Sequence, residues 1–197
     1  MNLPPLILAS SSPRRSDLLR VLGLEFTVMP SDATEIHNEH LTATEISQLN
    51  AYRKARAVAK KFPDSLVLGA DTLVYLDTTL FGKPADSAEA FAMLKRLQGR
   101  EHEVVTGVCL IHLRGHRQSM FAESTKVKFQ ALKAKDIRNY LAHIDPLDKA
   151  GGYAIQEHGA RIVQSVSGSM SNVIGLPLER LSEEFKRWES ATAAAVS

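Results

Sequence analysis

A chain of 197 residues, 44% apolar and 23% charged, can bury a sizeable core, which excludes the disordered and fibrous classes. Lys and Arg total 24 against 22 Asp and Glu, a net charge of +2 that gives no basic face for duplex nucleic acid. The single cysteine, Cys109, allows no internal disulfide and suits a reducing cytoplasm.

In chain order, Leu6 to Ala9 reads as a short buried strand stopped by three serines and Pro13. It holds no basic n-region and no apolar run nears the roughly 20 residues of a membrane span, so neither a signal peptide nor a membrane partner is expected. A helix follows over Arg14 to Leu22, with Ser12 as its cap, Pro13 in its first turn and Gly23 as its stop. Glu25 to Met29 is a second strand and Ser31 to His40 a polar loop. Thr44 to Lys61 is an amphipathic helix. Leu66 to Leu68 is a buried strand opening onto Gly69-Ala70-Asp71-Thr72, and Leu73 to Phe81 suggests a hairpin. Ser87 to Leu97 is a helix stopped near Gly99. Glu103 to Leu113 and Ala122 to Phe129 are strands whose short link, Arg114-Gly115-His116, implies antiparallel pairing. Cys109 lies in the first of these and reads as a small buried strand residue. Ala134 to His143 is a helix, Gly151 to Gln156 and Arg161 to Val166 are strand candidates, and Pro177 to Trp188 is a closing helix. The early alternation of strands and helices followed by a hairpin predicts an α/β fold with a mixed sheet and flanking helices. One domain over 1–190 with two lobes around a cleft, then a flexible tail over 191–197, is the expected organisation.

Several segments carry residues with chemistry, and each has a plainer reading beside it. Ser10-Ser11-Ser12-Pro13-Arg14-Arg15 joins a strand to a helix start, where backbone amides, hydroxyls and two guanidiniums can cradle a polyphosphate; a capped helix with solvated arginines fits the same letters. No GxxxxGK[ST] loop occurs. Asp71, past an apolar strand, can bind a divalent metal or take a proton from water, or can be a turn residue. Lys83 in Gly82-Lys83-Pro84 and Lys54 in mid-helix read as phosphate ligands or as surface lysines. Asp148-Lys149-Ala150-Gly151-Gly152-Tyr153-Ala154-Ile155-Gln156 brings two glycines against something close, with Gln156 able to read a base edge; a glycine-rich turn explains it equally. His37-Asn38-Glu39-His40 lacks HExxH spacing, and the serine loop has no evident His partner for acyl transfer.

Together these pieces, with Val173-Ile174-Gly175-Leu176-Pro177, resemble the Maf family, also called septum-formation-inhibitor-like proteins, from Leu6 to about Trp188. The resemblance implies a nucleoside triphosphate pyrophosphatase with a fold similar to inosine-triphosphate pyrophosphatases. It also implies cleavage between the α- and β-phosphates, a divalent cofactor (Mg²⁺ or Mn²⁺) and a homodimer. The family's pattern falls on Asp71, Lys54 and Lys83 for catalysis, on Ser10, Arg14, Arg15, Thr72 and Gln156 for substrate, and on Glu35 and Asp71 for metal. Asp71 matches the proton acceptor; Arg14, Thr72 and Gln156 match positions linked to substrate choice. The segment Tyr153 to Gln156 is similar to the branch that prefers dTTP and UTP and lacks the Ser-Glu-Gly-type segment of the 7-methyl-GTP branch. The chain departs from the family at three places. Asp32-Ala33-Thr34-Glu35 is looser than the usual acidic pair, Asn50 stands where an apolar helix residue is usual, and Glu157 where glycine is common.

On this reading metal and Asp71 activate a water that attacks the α-phosphorus, and pyrophosphate leaves on the Arg and Lys cluster. The rival expectation is a non-catalytic nucleotide-binding regulator of cell division, which would bind without turnover.

Overall fold

The computed structural model describes residues 3–38 and 40–194. Its elements follow the chain as β1 (Leu6–Leu8), α1 (Pro13–Val21), β2 (Phe26–Val28), α2 (Ala43–Ala59), β3 (Leu66–Leu76), β4 (Thr79–Phe81), α3 (Ser87–Leu97), β5 (Glu101–His112), β6 (Arg117–Phe129), α4 (Ala134–Leu141), β7 (Val163–Ser167), α5 (Met170–Ile174) and α6 (Leu178–Ala194). Among the described residues seven strands make one sheet in the order β2-β1-β3-β5-β6-β7, with β4 paired to β3. β1 runs parallel to β2 and β3, while β4 against β3 and β7 against β6 are antiparallel. The expected α/β fold with a mixed sheet is what forms.

The chain divides into two compact units. The first takes in the chain up to Asp71, Thr106–Glu123 and the chain from Gly175; the second is Thr72–Val105 with Ser124–Ile174. The first unit's core packs Ile7 and Ala9, Val67, Cys109 and Ile111 against Ala51, Ala55, Val58 and Ala59 of α2. Ile7 and Ala9 alternate along and just past β1, and Cys109 and Ile111 along β5, so one sheet face receives the helix. The second unit's core gathers Val74, Leu94, Leu97, Val127, Phe129, Tyr140 and Tyr153.

Three sequence expectations are corrected. First, the strand expected to end at Leu68 does not end there: β3 runs unbroken through Gly69 to Thr72 and on to Leu76. Gly69 is small because α2 lies against the strand: a Cβ on it would sit 2.8 Å from Ala55 N and nearer still to Ala51 O. The sequence of a turn and of a tight helix–strand contact share the same residue. Second, Gly151 to Gln156 is not a strand. Ala150–Gly152 is a 3-10 turn in which Gly151 takes φ 70°, and a Cβ there would press on Val74. The second strand candidate divides likewise, into a 3-10 turn over Gly159–Arg161 and β7. Third, α6 continues through Ala194, beyond the Trp188 expected as its end; the remainder of the expected tail, 195–197, lies outside the described residues, as does Glu39. Pro13 at the start of α1 and the positive φ of Gly23 after it are as expected. Ser12 occupies the cap position without making the side-chain bond.

No helix among the described residues is long and apolar enough to cross a membrane.

Candidate active site

The site is built on one helix and one strand. Along β3, Val67, Gly69 and Asp71 share a face by strand periodicity, and α2 covers it. The helix begins at a Thr42 cap whose hydroxyl accepts from Glu45 N–H, while the Glu45 carboxylate accepts from Thr42 N–H. Two turns on, Asn50 and Lys54 lie on one face at i, i+4 spacing. Above Gly69 the backbones are too close for side chains of any size. Asp71 therefore arrives, two residues further along, directly against Asn50 and Lys54.

Lys54 Nζ donates to Asp71 Oδ1 at 2.6 Å and to Glu35 Oε1 at 2.7 Å. Asp71 is 4% exposed. So Lys54 is no solvated helix lysine: it joins a buried carboxylate of the strand to a carboxylate of the loop before α2. Its side chain is 13% exposed, against 34% for Glu35, so the arrangement opens to solvent on the Glu35 side. Burying a carboxylate at this depth is costly unless a cation and hydrogen bonds face it, and Lys54 and Asn50 supply both.

The Ser-rich loop adjoins this pair through sheet register. Leu8 pairs with Leu68, and Ala9 N–H donates to Leu68 O, so the loop leaves β1 beside the strand segment that leads to Asp71. Ser10 is buried, and its hydroxyl accepts from Ser12 N–H at 3.2 Å and from Arg15 Nη1 at 3.2 Å. Arg15 Nε donates to Gly175 O at 2.9 Å. Arg15 thus braces the loop against the segment before α6, using part of its guanidinium fork for structure. Burial pulls its pKa below the ordinary arginine value; the Asp71 charge opposes this, Arg14 adds to it, and Glu35 opposes it. Arg14 is half-buried in the first turn of α1. Serine hydroxyls, a helix start and two guanidiniums are the donor set an anionic phosphate chain requires.

Thr72, Lys83 and Gln156 belong to the second unit. Thr72 follows Asp71 on β3 and is half-buried, while Lys83 and Gln156 are exposed. Tyr140 fixes the segment before Gln156: its hydroxyl donates to Ala154 O at 2.9 Å and accepts from Ala154 N–H at 3.0 Å. Buried Lys149 holds the same segment from another side, donating to Asp145 O at 2.6 Å and pairing with Asp148 at 2.7 Å and with Glu157 at 3.3 Å. The acidic residue at 157 therefore has a partner of its own. Tyr153 is core, bonded to His102 Nε2 at 2.8 Å and edge-on to Phe129.

Sequence reasoning missed the roles of Asn50, Tyr140 and Lys149. Asn50 was recoverable in principle, because a polar residue four positions before Lys54 must share its face. The Tyr140 and Lys149 contacts depend on chain folding back over the motif and leave no local signal. Cys109 is buried, and burial pushes its thiol up to about 12, so it is a core residue and not a nucleophile.

The oxygen chemistry suits a hard divalent ion. Asp71 and Glu35 converge within hydrogen-bond distance of one ammonium, and Mg²⁺ or Mn²⁺ sites commonly use one or two carboxylates and complete their shell with water and phosphate. No group of three or more His, Cys, Asp or Glu able to hold a metal occurs among the described residues.

The family model described as Maf-like protein matches residues 5–188. The chain belongs to the Maf-like protein family. Its Maf-like relatives include the dTTP/UTP pyrophosphatase of Pelotomaculum thermopropionicum, 44% identical over 93% of this chain and 96% of that protein. Proteins of the same name from a Geobacillus species (47% identical over 92% of this chain and 97% of that protein) and from Symbiobacterium thermophilum (48% over 89% of each) are similarly close. Among solved structures, the Staphylococcus aureus Ham1 protein aligns with a TM-score of 0.48 at 15% identity, covering 79% of this chain and 89% of that one. All the segments expected to carry chemistry, from the Ser10 loop to Gly175, lie inside the Maf-like match.

Proposed function

We propose that this Maf-like chain hydrolyses dTTP and UTP to the monophosphate and pyrophosphate, with Mg²⁺ or Mn²⁺ bound by Asp71 and Glu35. The observation that carries the reading is the buried Asp71 carboxylate, held by Lys54 beside a Ser and Arg loop, in a chain whose relatives bear that activity in their names. Asp71 takes the proton of a water molecule. The water oxygen bonds to the α-phosphorus, the bond from that phosphorus to the bridging oxygen breaks, and pyrophosphate departs with the bonding pair. Lys54 keeps Asp71 in place, and Ser10, Arg14 and Lys83 offset the negative charge that builds on the phosphates. A bound divalent ion would add charge neutralisation and would acidify the attacking water. Gln156 and Thr72 choose the base through hydrogen bonds that a wrong base leaves unmade. A cytoplasmic setting suits the single thiol.

The test is a panel of dTTP, UTP, CTP and 7-methyl-GTP with Mg²⁺ or Mn²⁺, read for pyrophosphate and monophosphate. Turnover of dTTP and UTP is expected above the others, and none after chelation by EDTA. Preference for 7-methyl-GTP would move the chain to the other branch. Orthophosphate as the product, or binding without turnover, would refute the proposal.

A further inference from the structure

We infer that Asn50 is a positioning residue for Asp71 and for the loop that carries Glu35, and that this one side chain aligns the two carboxylates. The inference rests on the activity proposed above.

Asn50 is 1% exposed and uses both ends of its amide. Its Oδ1 accepts from Ile36 N–H at 2.7 Å, and its Nδ2 donates to Ile36 O at 3.2 Å. This is a two-bond clasp on the backbone of the residue next to Glu35. The remaining Nδ2 hydrogen goes to Asp71 Oδ2 at 3.0 Å. Lys54, one turn later on α2, holds the other oxygen, Asp71 Oδ1. Each oxygen of Asp71 thus has its own donor, and both donors stand on the same face of one helix. Two separate donors fix the plane of the carboxylate as well as its position; a single lysine would leave the group free to rotate about its Cβ–Cγ bond. The Ile36 clasp then sets where Glu35 meets Lys54.

The geometry also says what an apolar side chain would do at this position. A leucine would fill the space yet leave Ile36 N–H and C=O without the side chain that clasps them, and would strip Oδ2 of its donor. Aspartate keeps the shape and can still accept from Ile36 N–H, but it replaces the donor to Asp71 with a second negative charge. The two substitutions therefore separate loop anchoring from carboxylate alignment.

The experiment measures kcat, nucleotide KM and the half-saturating Mn²⁺ concentration for wild type, Asn50→Leu and Asn50→Asp, with circular dichroism and thermal melting on each. Removing a group that orients ligands typically costs about 10- to 100-fold in metal affinity or activity. We expect kcat to fall by about that factor in both variants, KM to stay within about threefold, and half-saturating Mn²⁺ to rise about tenfold in Asn50→Leu. Where circular dichroism and melting show a variant fully folded at the assay temperature, half-saturation reports the site itself, so a merely structural role for Asn50 would leave it unmoved. Values of kcat and half-saturating Mn²⁺ within twofold of wild type in Asn50→Leu would overturn the inference. If wild type turns over no nucleotide, the activity proposal fails first; Mn²⁺ titration followed by electron paramagnetic resonance then still tests Asn50, with equal affinity in wild type and Asn50→Leu overturning it.

Discussion

At the scale of single residues, the chain buries ionisable groups for two purposes. Asp71 is buried with its donors, and the strand segment leading to it lies beside the Ser10 to Arg15 loop proposed to bind phosphate. Asp71→Asn removes the proposed proton acceptor and keeps the size, so turnover should fall by about 10²–10⁴-fold while nucleotide binding persists. Activity near the wild-type level, measured as pyrophosphate release, would remove Asp71 from the proton-transfer step. His102 is buried for packing. Its ring stands edge-on to Phe129 and Tyr153, its Nδ1 has no hydrogen-bond partner, and burial lowers its pKa from 6.5 to about 4. The unfolded chain therefore binds the proton more readily than the folded one. The stability due to neutral His102 is complete above pH 6.5 and is lost as the pH falls from there toward 4, a change of about 3 kcal/mol. His102→Gln has no proton to gain and should flatten the melting temperature against pH across that window. An acid limb as steep as that of wild type would assign the effect to other groups.

At the scale of elements, the contact of α2 with β3 and β5 decides whether Lys54 reaches Asp71. Gly69 and Gly107 both lie where a Cβ would meet the helix backbone, at Ala51 to Ala55 and at Ser47 to Gln48. Gly69→Ala should push α2 outward, destabilise the protein by about 1–3 kcal/mol or more, and lower activity beyond the loss of folded protein. The check is chemical denaturation beside specific activity per folded molecule; an unchanged midpoint would show that the helix has room to spare. In the segment before Gln156, one hydroxyl, that of Tyr140, serves both backbone groups of Ala154. Tyr140→Phe leaves Ala154 N–H and C=O without it and should cost about 1–3 kcal/mol. Selectivity between dTTP and dCTP should relax in the same variant, as competition assays would read, because the backbone that carries Gln156 loses its anchor. Strand propensity and hydrophobic periodicity announced most of these elements. They failed at Gly69, where glycine admits a helix within a continuing strand, and at Gly151, where it turns the chain in an expected strand, since the letter is identical and the neighbour that gives it meaning comes from elsewhere in the chain.

At the scale of the whole molecule, β3, β5 and β6 each contribute residues to both compact units. A strand that belongs to two cores cannot lose its ladder in one without affecting the other. Unfolding should therefore be a single calorimetric transition, with the van't Hoff enthalpy equal to the calorimetric one. Leu94→Ala, a cavity in the second unit's core, should lower the midpoint of the whole transition by removing about 2–5 kcal/mol. Two resolved transitions, with only one moved by Leu94→Ala, would show that the units unfold separately.

The sequence by itself determined the alternation of elements, the mixed sheet, the Maf resemblance and the roster of polar residues with chemistry. These depend on local preference, periodicity and short motifs, which are written in neighbouring letters. Only the tertiary structure decided that Asp71 lies within a strand, that Lys54 joins it to Glu35, that Arg15 braces Gly175, and that Asn50 bonds both Asp71 and the Ile36 backbone. Each of those contacts joins residues at least fourteen positions apart, and a hydrogen bond at that separation exists only once helix and sheet have met.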